Sequence, residues 1–324
     1  MFKNRLIYLD CFRGIAALSV VLYHYFTRFD ELYGSQASNI ITNNLYLGVH
    51  LFFIISGYLI YRSSINRSTI NFAINRFIRL YPTYWVCVTI TFLLVGFLGL
   101  PGREVSFNEF VLNLLMFHHL IQVPDVDGVY WTLQVELFFY FIIAVLLMVG
   151  SLKYLYVTLF AVSLVTISMK FNFFDSNGVL NILTLHGYAS LFLLGVGSEY
   201  SQRYRSIFPV LFPMLLIFFT FKISESIFVF VIFFLFQYSL LSRVSTPRNV
   251  MVSVFSFFGK ISYPLYLLHQ NIGYSLIIHL STYVSIYVSI IITLILVCLL
   301  SYIVHNLVEV KVTNFIKCRV YRRC

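Results

Sequence analysis

Ten stretches of the chain are apolar for long enough to approach the thickness of a bilayer: roughly 6–27, 45–61, 82–100, 131–150, 154–169, 180–199, 207–221, 226–242, 254–279 and 284–308. About 20 apolar residues cross the hydrocarbon core as a helix, and in lipid a chain with no closed barrel must satisfy its backbone as helices. This pattern predicts an all-α integral membrane protein with about ten transmembrane helices. Composition agrees: of 324 residues, 60% are hydrophobic and only 10% charged, against about 45–50% and 25% in soluble domains. No polar stretch is long enough to fold as a separate soluble domain. The 254–279 span holds Lys260 and Pro264, which predict a kink.

The net charge of +10 does not indicate nucleic acid, because the basic residues sit in short connections between apolar runs. With the N-terminus in the cytoplasm, sixteen Lys and Arg fall on the inner side, among them Lys3, Arg5, Arg62, Arg76, Arg79, Arg243, Arg248, Arg322 and Arg323. Four fall outside: Arg28, Arg103, Lys170 and Lys222. The positive-inside rule then puts both termini in the cytoplasm. Lys3 and Arg5 precede an apolar run as in a signal peptide, but Arg13 interrupts the run and no small-residue cleavage site follows. The expectation is a first spanning helix that stays. Five cysteines (Cys11, Cys87, Cys298, Cys318 and Cys324) form no CxxC pair, so neither a disulfide framework nor a metal site is expected.

Several polar residues lie where lipid would make them costly. In "LDCFRGIAALSVVLYHYF" (9–26), Arg13 and His24 are eleven residues apart. That is three helical turns plus about 20°, so they share a face about 16 Å apart along the axis, with Ala17 and Val20 between. Intramembrane charges of this kind mark cavities and function; the alternative is that Arg13 snorkels inward and His24 lies near the outer boundary. In "WTLQVELFFY", Thr132, Glu136 and Tyr140 recur every four residues and share a face. Ser262, Tyr266, His269 and Gly273 fall at i, i+4, i+7 and i+11 in "GKISYPLYLLHQNIG" and likewise share a face. Arg76 and Arg79 project from one face if helical, which suits phosphate or, equally, anionic lipid. The pair His118–His119 lacks further ligands for a metal. In "FFIISGYLI", Gly57 is expected to permit close helix packing. The stretch "FNEFVLNLLMFHHLI" (107–121) reads as an amphipathic segment on the outer interface.

These pieces, in order, resemble the membrane-bound acyltransferase 3 family, whose members acylate sugars of cell-surface glycans. The matching stretches are "LDCFRGIAALSVVLYH", "FFIISGYLI", "RFIRLYPTYW", "WTLQVELFFY" and "GKISYPLYLLH". The family's Arg-x10-His signature falls on Arg13 and His24, its Arg-x-x-Arg on Arg76 and Arg79, and its Trp-Ser/Thr-Leu-x-x-Glu on Trp131, Thr132 and Glu136. Departures are Cys11 for a usual Gly, Leu137-Phe138 for "EQ", and Glu309-Val310-Lys311 for "Glu-x-Pro", so no role is carried to Glu309.

The resemblance implies a single acyltransferase 3-like transmembrane domain over 1–324, with a short basic cytoplasmic tail at 309–324. It would be multi-pass in a bacterial inner membrane and would move an acyl group, most often acetyl from acetyl-CoA, to a sugar hydroxyl. The acceptor would be a lipid-linked or newly exported glycan such as lipopolysaccharide O-antigen. No metal is expected to take part. His24 would act as base, with Arg13 and Glu136 beside it. Arg76, Arg79 and Arg13 would hold the donor, while Trp131, Thr132, Tyr266 and His269 would meet the acceptor. Direct transfer and a covalent acyl-enzyme both remain open, as does a different class, a transporter or flippase of a glycan precursor without acyl-transfer chemistry.

Overall fold

In the computed structural model, residues 2–39, 41–173, 178–241 and 249–321 are described; Arg243, Arg248, Arg322, Arg323 and the side chains of Lys3, Arg5 and His119 lie outside that description. All regular structure among the described residues is helical. Among the described residues, seven helical stretches are long and apolar enough to cross a membrane: Ile7–Tyr33, Thr42–Ser64, Thr69–Leu98, Gly128–Met148, Leu152–Lys170, Ile223–Leu240 and Ile286–Val320. The count becomes eight if the bent pair Val250–Lys260 and Ser262–Leu268 is one span. That pair turns by 61° at the place where Lys260 and Pro264 predict a kink.

The two remaining apolar stretches of the sequence form shorter helices. Within 180–199 the chain is broken by three successive residues with left-handed backbone, Leu185, His186 and Gly187, so only Ala189–Tyr204 is a long helix there. The 207–221 stretch gives Phe208–Thr220, 13 residues, or about 20 Å of helix.

The chain forms two compact units. The first comprises 1–16, 47–74 and 135–256. Its centre is the contact between the Gly48–Ser64 and Ala189–Tyr204 helices. A Cβ on Gly57 would stand 2.3 Å from the Phe192 carbonyl oxygen, and one on Gly195 only 2.1 Å from that of Ile54. The two backbones therefore touch, as small residues allow between helices in lipid. Phe192 packs its ring on Phe53 at 5.0 Å and on Phe139 at 4.4 Å. A partly buried Arg62–Glu199 pair at 3.4 Å closes one end, where Arg62 also donates to the Tyr58 hydroxyl at 2.9 Å.

The second unit comprises 17–46, 75–134 and 257–324. Most of the Thr69–Leu98 helix belongs to it, and only four residues separate that helix from Ser64, the end of the previous one. The connection is therefore shorter than the 62–81 loop that hydropathy suggests, and Arg76 and Arg79 stand inside a helix. The 107–115 segment runs back alongside this helix. Phe110 stacks on Phe92 at 4.4 Å, and further along Trp85 and Tyr84 donate to the carbonyls of Leu114 and Asn113 at 3.0 and 2.7 Å. A capping box of Ser106 and Glu109 starts the Phe107–Asn113 helix. Asn113 then ties the returning strand of loop, donating to the Pro124 carbonyl and accepting from the Val126 N–H. Buried His118 and Asp125 pair across the same loop.

Candidate functional site

The first helix is α-helical over Phe2–Leu22 and continues as a π-helix over Tyr23–Arg28 before Phe29–Tyr33. A π turn inserts a residue and costs good hydrogen-bond geometry, so it persists mostly at functional sites. Here it carries His24. The neighbouring Tyr25 is wholly buried and occupies the space a Cβ on Gly273 would need, 2.3 Å from its ring. Ala17 and Val20, on the Arg13–His24 face, are also buried, at 1% and 0% exposure. That face is therefore turned toward protein, not lipid.

The partner of His24 comes from the far end of the chain. The Ser262–Leu268 and Gln270–Ser281 helices meet at His269, which is fully buried. Its Nε2 lies 3.1 Å from Nδ1 of His24. His24 Nδ1 is also 2.8 Å from the Val20 carbonyl, and His269 Nδ1 is 2.8 Å from that of Tyr266 and 3.2 Å from that of Leu265. Carbonyl oxygens only accept, so each neutral ring carries its proton on Nδ1. The Nε2 lone pair of His269 then accepts from the shared N–H of His24. This leaves the Nε2 lone pair of His24 to take a proton from elsewhere.

Thr132 and Tyr266 also come together. Their hydroxyls lie 2.9 Å apart and both reach the Val129 carbonyl, at 3.0 and 3.4 Å. Trp131 opens the same helix, Trp131–Met148. One stripe of the sequence thus supplies Tyr266 to Thr132, His269 to His24 and Gly273 to Tyr25.

Arg76 and Arg79, three residues apart on the Thr69–Leu98 helix, share a face; Arg76 is half-buried and Arg79 exposed. The next carbonyl, that of Leu80, accepts from the Tyr263 hydroxyl at 3.1 Å. From Tyr263 the short Ser262–Leu268 helix leads to His269, about 9 Å along its axis. One helix therefore links the arginine pair to the histidine pair within the same unit.

Arg13 and Glu136 belong to the other unit. The Glu136 carboxylate accepts from Tyr140 at 2.6 Å and Ser56 at 3.3 Å. Within its own unit, the side chain in hydrogen-bonding reach of His24 is the His269 imidazole.

The end of the second unit formed by the 99–130 connection holds residues that motif spacing does not single out. Asp127, fully buried, accepts the backbone N–H of Asn271 at 2.9 Å and that of Val129 at 3.2 Å. Desolvation pushes its pKa up to about 7, against the two backbone bonds that favour the charged form. An Asp in the unfolded chain titrates near 3.9, so the folded protein holds the extra proton between those values. Stability from this group is then complete below about pH 4 and is lost as pH rises to about 7. Asp127→Asn should flatten that slope in thermal unfolding of the purified protein; an unchanged slope would assign it to other groups. The sequence signal for Asp127 was only its place in turn chemistry, "VPDVDG".

No curated protein and no solved structure matches this chain. The acyltransferase 3 model, described as an acyltransferase domain, matches residues 6–305, nearly the whole length, and the chain belongs to that family.

Proposed function

We propose that the protein transfers an acyl group, acetyl above all, from acyl-CoA to a sugar hydroxyl of a cell-envelope glycan in a bacterial inner membrane. Family membership supports acyl transfer. The observation that carries the site assignment is the His24–His269 pair at 3.1 Å, because it leaves His24 with a lone pair in the tautomer a general base needs. A sugar hydroxyl is a weak nucleophile and requires such a base near neutral pH.

His24 Nε2 takes the hydroxyl proton as the oxygen attacks the thioester carbonyl. The new imidazolium keeps its Nδ1–H on the Val20 carbonyl and the His269 lone pair. His24 then returns the proton to the departing CoA sulfur as the carbon–sulfur bond breaks. His269, assigned at first to the acceptor, serves here to orient His24. Thr132 and Tyr266, bonded to each other, shape the wall beside it, and Trp131 offers an aromatic face to the acceptor. Arg13 and Glu136 carry family signatures and are proposed to assist the thioester end and the acceptor end. The charge count supports an N-terminus and donor side in the cytoplasm.

Arg76 and Arg79 would bind the CoA phosphates. Changing both to Gln removes charge-assisted hydrogen bonds worth about 1.5–3 kcal/mol each. The KM for acetyl-CoA should rise at least 10-fold, with a smaller change in kcat, in initial-rate measurements on protein in lipid nanodiscs. An unaltered KM would remove the arginine pair from the donor site. For the function as a whole, envelope glycans from cells with and without the protein should differ by one acyl unit in mass spectra, and identical spectra would count against it.

A further inference from the structure

We infer that the acceptor is anionic, carrying a carboxylate or phosphate close to the hydroxyl that is acylated, and that Arg103 binds this group. The inference rests on the acyl-transfer reading and specifies its second substrate.

Arg103 lies in the loop after the Thr69–Leu98 helix and is half-buried. It is positioned from three sides. Its Nη1 donates to Asn271 Oδ1 at 3.3 Å. Its guanidinium lies over the Tyr274 ring, 5.6 Å from the centroid. Gly128 lets it close on the loop backbone, since a Cβ there would be 3.3 Å from Nη1. Asn271 is itself fixed, donating its side-chain N–H to the Val126 carbonyl at 2.8 Å and its backbone N–H to Asp127. The cation is held by neutral groups in one orientation.

The carboxylates around it have other partners. Both oxygens of Asp127 accept backbone N–H groups. Glu104 accepts the backbone N–H of Leu100 at 3.1 Å, Glu31 pairs with Arg28 at 2.6 Å, and Asp125 pairs with His118. Among the described residues the Arg103 side chain thus has one hydrogen bond, to a neutral amide, and no direct ion pair. Four of its five N–H donors are left for a ligand. The Asp127 carboxyl acts on this guanidinium through space without bonding to it, so a half-buried fork of donors still gains from an anion that bonds it directly.

Its location connects this vacancy in bonding to the chemistry. The Tyr274 ring beneath Arg103 is 6.5 Å from the His24 ring, centroid to centroid, so cation and base flank one tyrosine. The Tyr274 hydroxyl is buried and has no hydrogen-bond partner among the described residues. Tyr33, 6.0 Å from the same ring, adds a second aromatic wall. An acceptor with its hydroxyl at His24 would present a group one sugar unit away to Arg103 and the Tyr274 hydroxyl.

The test uses purified full-length protein in nanodiscs and three probes: a neutral methyl hexoside, its uronic-acid form and its phosphate ester. Binding is read by calorimetry, and acyl transfer separately with labelled acetyl-CoA. The wild-type protein should bind the anionic forms about 10–100 times more tightly, the span of a charge-assisted bond. Arg103→Gln should bring that ratio close to one, and Arg103→Lys, which keeps charge without the fork, should leave it between. Preference for the uronic acid alone points to an acidic sugar, and preference for the ester alone to a phosphate-bearing glycan or carrier. Equal binding of all three by the wild type overturns the inference, with no variant needed, as does a preference that survives Arg103→Gln. Intact preference with no transfer to any probe would overturn the acyl-transfer reading and leave the anion site standing.

Discussion

His24→Ala is expected to lower acyl transfer by about 10²–10⁴-fold, the usual contribution of a positioned general base. The variant removes the only lone pair that the proton assignment leaves free in the histidine pair, since Nδ1 of both rings is committed to backbone carbonyls. It also strips His269 of its donor, which costs at most about 1–3 kcal/mol for one buried acceptor. Elution as a monodisperse species and a melting temperature near that of the wild type would show that the loss is chemical. His269→Ala should fall between the wild type and His24→Ala, because it removes the group that fixes the tautomer and leaves the base in place. Its loss should appear in kcat, with the KM for acetyl-CoA little changed. Near wild-type transfer by His24→Ala, measured with labelled acetyl-CoA, would exclude His24 as the base.

The largest effect on folding is expected at Gly195. Overpacking a well-packed interior costs about 1–3 kcal/mol when side chains can shift. At Gly195 the atom in the way is a backbone oxygen, Ile54 O at 2.1 Å, with Tyr58 N at 2.7 Å behind it. Backbone cannot swing aside as a side chain does, so the Gly48–Ser64 and Ala189–Tyr204 helices must separate and release the Phe53, Phe139 and Phe192 ring contacts. Gly195→Ala should therefore lower the melting temperature in detergent by about 5 °C or more and reduce the yield of folded protein. A matched substitution at Gly96, where a Cβ meets nothing within 4 Å, should be tolerated. Equal melting temperatures for the two variants would refute the backbone contact.

Much of this was legible in the sequence, for physical reasons. Apolar length identifies a membrane-spanning helix because lipid leaves the backbone few alternatives, and all seven long helices lie on stretches that hydropathy marks. The Ser56-Gly57 pair inside an apolar span announced a close helix contact, and the Arg76–Arg79 spacing puts both on one face of the helix they occupy. What failed to show was whatever depends on partners distant in sequence. Residues 180–199 are apolar enough to span, but hydropathy does not register the left-handed run at Leu185–Gly187 that breaks them. The 107–121 segment shows its apolar face in the sequence, whereas the Tyr84 and Trp85 donors that hold it lie elsewhere in the chain. The His24–His269 contact joins residues 245 positions apart; periodicity within each helix gives the two faces but not their meeting. Arg103 had even less signal, a single basic residue in an outer loop whose role emerges from Asn271 and Tyr274.

The most direct measurement follows the fate of the thioester. Protein reconstituted in liposomes is given doubly labelled acetyl-CoA and a glycan acceptor, and free CoA thiol and acyl label on the acceptor are counted together. One acyl group should appear on the glycan for each thiol released, dependent on the protein and lost with His24→Ala. Movement of the glycan across the bilayer without acyl-CoA, and with no label on it, would contradict acyl transfer and identify a carrier instead.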